Sequence, residues 1–134
     1  MSQTAKAEFD SVSWDEHPYL EPEDGPRMVR GEVSRVWRGD LEGRSTATLL
    51  MSQSEDGSAG YVASERFEGS LGGREGSFVL HHSNIMGGDA PPKPADGYVV
   101  PGSGRGALSG LTGTCVWLHR GDERLFTLEY EIGG

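Results

Sequence analysis

The sequence predicts an all-β chain, eight antiparallel strands closed as an up-and-down barrel. Three observations lead there. Apolar and polar residues alternate along most segments, the period of a strand with one buried face. Glycines are dense, 21 in 134 residues, and gather between those segments, where tight reversals need positive φ. No segment carries apolar residues at helical spacing for longer than a turn, and each interior glycine costs a helix about 1 kcal/mol relative to alanine. A two-sheet sandwich would give a similar pattern. Closure is preferred because eight strands without free edges leave room for one small ligand.

The elements follow in chain order. Thr4 to Trp14 predicts a first strand. Ala5, Ala7 and Phe9 share one phase and Val12 and Trp14 the other, so a bulge belongs near Asp10–Ser11. Asp15 to Pro26 holds three prolines and many acids, and reads as a loop or a turn of helix. Arg27–Arg38 alternates through Val29, Val33 and Trp37. Gly39-Asp40 then reverses the chain into Leu41–Ser52. Ser54-Glu-Asp-Gly57 turns it into Gly60–Glu68, and Ser77–Ile85 is the fifth strand. Residues 87–97 are rich in glycine and proline and predict the longest exposed loop; residues 1–3 predict a flexible tail. Tyr98–Pro101, Thr112–His119 and Arg124–Ile132 complete one domain over residues 1–134.

Composition excludes several classes. A net charge of −9 disfavours nucleic acid, whose phosphates must meet Lys and Arg, and anionic membrane surfaces likewise. No run approaches the roughly 20 apolar residues that span a bilayer. The first ten residues do not resemble a signal peptide, and Cys115 is the single cysteine. A reducing cytoplasm is therefore the expected compartment, with Cys115 a buried, inert thiol.

Five ordered motifs carry a resemblance. They are Ser13-Trp14-Asp15-Glu16, Gly39-Asp40-Leu41-Glu42-Gly43, Glu65-Arg66-Phe67-Glu68-Gly69, the run Gly72 to His82, and Val100-Pro101-Gly102-Ser103-Gly104. The chain resembles a bacterial family of domains of unknown function that shares the barrel of plant allene oxide cyclase. The resemblance covers about residues 5 to 131. It implies an eight-stranded barrel with a central, calycin-type cavity, often packed as a homo-oligomer, and brings no assigned activity. The plant enzyme steers cyclisation of an unstable fatty-acid epoxide largely by cavity shape, and related barrels act as cyclases on natural products. The proline-rich loop at residues 87–97 departs from the family pattern.

Candidate chemistry concentrates on the fourth and fifth strands. Tyr61, Ala63, Glu65 and Phe67 share one face, and Phe78, Leu80 and His82 another. A turn in Leu71–Arg74 pairs Phe67 with Phe78, which brings Glu65 and His82 onto one inward face, opposite or diagonal. A carboxylate and an imidazole in an apolar wall are suited to acid–base work. The alternative is that Glu65 satisfies an arginine or the backbone, with His82 capping the sheet. Tyr130 alternates with Phe126 and Leu128, and is a third catalytic candidate. Trp14, Trp37, Tyr61, Phe67, Phe78, Leu80, Tyr98 and Trp117 are expected to line the ligand cavity. Trp117 and Cys115 share a face.

His81 and His82 point to opposite faces of a strand and cannot share a metal ion. His17 and His119 carry no ligand spacing. Gly102-Ser-Gly-Arg-Gly lacks the Lys-Ser/Thr of a phosphate loop, and there is no nucleophile elbow. Nothing calls for a metal or a cofactor.

These residues support a barrel that binds a small apolar organic molecule. The alternatives are an isomerase or cyclase using Glu65, His82 or Tyr130, and an interaction module with no internal chemistry. Glu65→Gln and His82→Ala are expected to leave the fold intact, because polar groups in a cavity contribute little packing.

Overall fold

A computed structural model describes residues 2–87, 94–120 and 122–133, without the side chains of His119 and Arg120. Nine antiparallel strands form one sheet: β1 (Gln3–Leu20), β2 (Arg27–Gly39), β3 (Leu41–Gln53), β4 (Ala59–Leu71), β5 (Arg74–Met86), β6 (Ala95–Val99), β7 (Arg105–Gly106), β8 (Leu111–Arg120) and β9 (Glu123–Ile132). Hydrogen-bonded neighbours run β4-β3-β2-β1-β9-β8-β6-β5, and β4 pairs with β5, so the ladders close a ring of eight strands. β7 is a two-residue addition beside β5. No helix occurs among the described residues, hence none long and apolar enough to cross a membrane.

The eight expected strands are all present, with shifted bounds. The largest shift is in β1, which continues to Leu20 where a loop was expected. Proline lacks the N–H that a central strand donates, and that rule suggested the loop. Here β1 pairs with β9 only from Gln3 to Glu8, and beyond that point it has β2 as its one described neighbour. Pro18, paired with Val29, therefore sits on an edge that asks for no second set of donors. The expected bulge is found as a register shift between Ser11 and Ser13. It returns Trp14 to the face it shares with Val33.

Two further corrections concern the glycine-rich segments. Ala95 to Gly97 belong to β6, so the expected loop over residues 87–97 is shorter; its residues 88–93 lie outside the described residues. Gln3 is not tail but the first residue of β1, paired with Tyr130. The second glycine-rich turn also carries β7 and a fully buried Leu108.

The inner face divides by height. Toward the Gly72-Gly73 turn, Phe9, Trp37, Leu41, Phe67, Leu71, Phe78, Trp117, Phe126 and Leu128 form one buried cluster. Rings contact across it: Phe9 and Trp37 centroids are 5.1 Å apart, Trp37 and Phe126 4.9 Å, Trp117 and Phe126 4.9 Å. Burying each such ring contributes about 2–3 kcal/mol, which makes this half the main source of stability. Toward the opposite end, Val29, Val33, Ala47, Leu49, Met51 and Ala63 form a second cluster with Tyr61 at its border. Gly43 and Gly69 face each other across β3 and β4 with φ near +152°. A side chain on either would stand about 2.1–2.2 Å from a backbone carbonyl oxygen of the other strand, so only glycine permits this approach. A polar group of residues separates the two clusters.

Candidate functional site

Glu65 is completely buried at the middle of β4. It faces inward because β4 alternates and its neighbours in phase, Ala63 and Phe67, belong to the two apolar clusters. The β4–β5 ladder pairs Phe67 with Phe78, as the turn predicted, Glu65 with Leu80, and Ala63 with His82. Glu65 and His82 are therefore diagonal neighbours. His82 Nε2 lies 2.9 Å from Glu65 Oε1. Gly97 of β6 stands opposite His82, where a Cβ would come within 2.8 Å of the His82 Cβ. Glycine there lets β6 close over the imidazole.

Two residues not singled out from the sequence complete the carboxylate's surroundings. Arg35 Nη1 donates to Glu65 Oε1 at 2.7 Å, and Ser45 Oγ donates to Oε2 at 2.5 Å. Trp37 Nε1 in turn donates to Ser45 Oγ at 2.8 Å. The β2–β3 ladder sets Arg35 directly opposite Ser45, and the β3–β4 ladder sets Ser45 opposite Phe67. The signal was available: Arg35 shares the phase of Val29, Val33 and Trp37, a charge on the apolar side of a strand. Burial works to raise the Glu65 carboxyl. The His82 hydrogen bond, the Arg35 charge and the Ser45 hydroxyl outweigh it and hold the group below the ordinary carboxylate range. Glu65 is thus an ionised acceptor with both oxygens engaged.

From Glu65 the chain of contacts runs outward. On the far side of the His82 ring from Glu65, Nδ1 lies 3.4 Å from the Tyr61 hydroxyl. Tyr61 is half-buried, and burial pushes its phenol above the ordinary tyrosine range, so the hydroxyl keeps its proton. The Trp117 ring packs edge-on against His82 with centroids 3.8 Å apart. Arg35 Cζ stands 5.9 Å from the Trp117 centroid and 5.5 Å from that of Phe9. Hydroxyl, imidazole and carboxylate thus stand in series between apolar walls, with an arginine on the carboxylate.

The other predicted residues are distributed differently. Tyr130 is buried, yet its hydroxyl meets Gln3 Oε1 at 3.3 Å and stands near Gly72, at the opposite end of β4 from Tyr61. It does not join Glu65 and His82. Trp37, Phe67, Phe78, Leu80 and Trp117 are buried among one another. Trp14 is half exposed and covers Gly31, and its Nε1 donates to Glu16. Tyr98 lies on the outer face beside His81, which bonds Ser64 and Tyr98 while His82 faces inward. His17 is exposed and bonds Asp15; the side chain of His119 lies outside the described residues. Cys115 is buried, and burial pushes its thiol up to about 12.

Comparison with known proteins adds family but no activity. No curated protein matches the chain. The protein of unknown function from the DUF3224 family of Shewanella oneidensis MR-1 has a crystal structure similar to this one, with a TM-score of 0.82. The two are 31% identical, with all of both chains covered. Residues 5–130 match the family described as Protein of unknown function (DUF3224). The chain belongs to the DUF3224 family.

Proposed function

We propose that the closed ring is a barrel, of the allene oxide cyclase-like kind, that binds a small, mostly apolar organic molecule on its inner face at the Tyr61 end. The observation that carries this reading is the Tyr61–His82–Glu65 series. A carboxylate buried completely and bonded by three side chains is an expensive way to fill a wall. Its outermost member, Tyr61, borders the aliphatic cluster of Val29, Val33, Ala47, Leu49, Met51 and Ala63 rather than the packed aromatic half. An aliphatic wall and a polar group therefore meet at one level. An isomerase or cyclase would be the catalytic form of the same site, with Tyr61 handing a proton to or from the ligand and His82 and Glu65 behind it.

The test is titration with 1-aminoanthracene, a neutral apolar fluorophore. Saturation at one probe per chain is expected, with binding lost in Ala63→Trp, whose bulk would occupy the proposed place of the probe beside Tyr61. Equal binding by wild type and Ala63→Trp would place the probe elsewhere and overturn the reading.

A second reading has its own observation. On the outer faces of β3 to β6, grooves of about 470 and 550 Å³ adjoin the exposed side chains of Leu50, Val62, Ile85 and Tyr98. Such a surface suits an interaction with another protein, including a second copy of the chain. Persistence of a monomer at high concentration would disfavour the homo-oligomer.

A further inference from the structure

Where the proposed site meets the aromatic half, two buried donors adjoining the Glu65–His82 pair have nothing to donate to. Among the described residues, the buried side-chain nitrogens without a hydrogen-bond partner are Arg35 Nε and Trp117 Nε1. Both are donors with no acceptor capacity. Buried polar groups are nearly always paired, and an orphaned donor costs about 1–3 kcal/mol. Trp117 packs on the imidazole and Arg35 holds the carboxylate that the imidazole bonds, so one explanation should serve both orphans.

We infer that the ligand presents a single neutral carbonyl oxygen, which accepts hydrogen bonds from Trp117 Nε1 and Arg35 Nε. This rests on the binding reading above and specifies the class of molecule. The rest of the cluster is already satisfied: Glu65 accepts on both oxygens, Trp37 donates to Ser45, and both His82 nitrogens face partners. The site thus lacks an acceptor and nothing else. Charge selects among acceptors. Arg35 is neutralised by Glu65 at 2.7 Å, so a carboxylate or phosphate would bring an uncompensated charge against Phe9 and Trp117. A ketone, aldehyde or ester oxygen brings none. The remainder of the ligand meets valine, leucine, methionine and alanine side chains, which favours a hydrocarbon body.

The experiment uses ¹H–¹⁵N spectra, where the three tryptophans give three indole signals and Trp117→Phe assigns one. The probes are 4-phenyl-2-butanone, butylbenzene and 4-phenylbutanoate. The ketone is expected to move the Trp117 indole and Arg35 Nε–H signals downfield and saturably, while butylbenzene moves only apolar neighbours. Trp117→Phe keeps an aromatic ring, smaller by the pyrrole half, and deletes the orphan donor. It should weaken the ketone about tenfold, the worth of one buried hydrogen bond, and leave butylbenzene unchanged. Saturating ketone should raise the melting temperature of wild type more than that of Trp117→Phe, a ligand-linked readout that a merely structural tryptophan would not move.

Equal binding of ketone and butylbenzene, with the Trp117 signal unmoved, would overturn the carbonyl assignment and leave the binding reading standing; a buried water would then be the partner. Tighter binding of 4-phenylbutanoate than of the ketone would overturn neutrality. No response of the inner face to any probe would overturn both.

Discussion

Glu65 decides most of the residue-scale energetics. Removing one member of a buried pair leaves the other charge unmatched, at about 3–5 kcal/mol. Glu65→Gln should therefore lower stability by about 3 kcal/mol in urea denaturation, contrary to the sequence expectation that the fold would be indifferent. That expectation assumed an open cavity around the carboxylate, whereas Arg35, Ser45 and His82 enclose it. The two buried tryptophans should separate cleanly as well. Trp37→Phe loses the bond to Ser45 and should cost about 1 kcal/mol, while Trp117→Phe loses no bond. Cys115 should stay unreactive toward Ellman's reagent at pH 8 in the native protein and react fully after unfolding, since the thiolate is the nucleophile and burial suppresses it.

At the scale of elements, two strands and one short turn made the Glu65–His82 contact legible. The Gly72-Gly73 reversal fixes register, and register places diagonal neighbours. Tyr130 shows where that reasoning stops. Alternation tells which side of a strand a residue faces, never its height, and height is set only by following the ladders β1–β9 and β8–β9 around the ring. Arg35 stands out by its phase alone, but which carboxylate it and Ser45 serve depends on the β2–β3 and β3–β4 ladders together. Gly97 ties an element to the site. Gly97→Ala should push β6 away from His82, because the new methyl would meet the His81 carbonyl oxygen at 2.1 Å. A loss of at least about 2 kcal/mol is expected, with faster amide exchange at His82 and Ser83 than elsewhere in β5.

For the molecule as a whole, the fold class and all eight ring strands could be read from alternation and glycine punctuation, since both follow from local backbone chemistry. Closure was expected because it removes free edges; the β1–β9 ladder that makes it joins residues nearly the full chain apart, which alternation does not specify. The pH response belongs at this scale. Glu65 is held below its ordinary value near 4.5, so its contribution is complete above that pH and is lost as pH falls through the lower native value. Wild type should accordingly lose more stability than Glu65→Gln between pH 7 and pH 3.5, measured by urea midpoints. Equal losses would mean that other carboxylates govern acid unfolding.

The stretch of β1 beyond Glu8 has a consequence of its own. No described strand pairs its second border, which offers amides and carbonyls on which a stranger's strand could zip, the first step toward fibrils. Pro18 interrupts that template, and Asp10, Asp15 and Glu16 repel a second acidic copy. Replacing Pro18 with valine and the three acids with serine should convert a quiet margin into a nucleus for self-assembly, visible as thioflavin-positive aggregates.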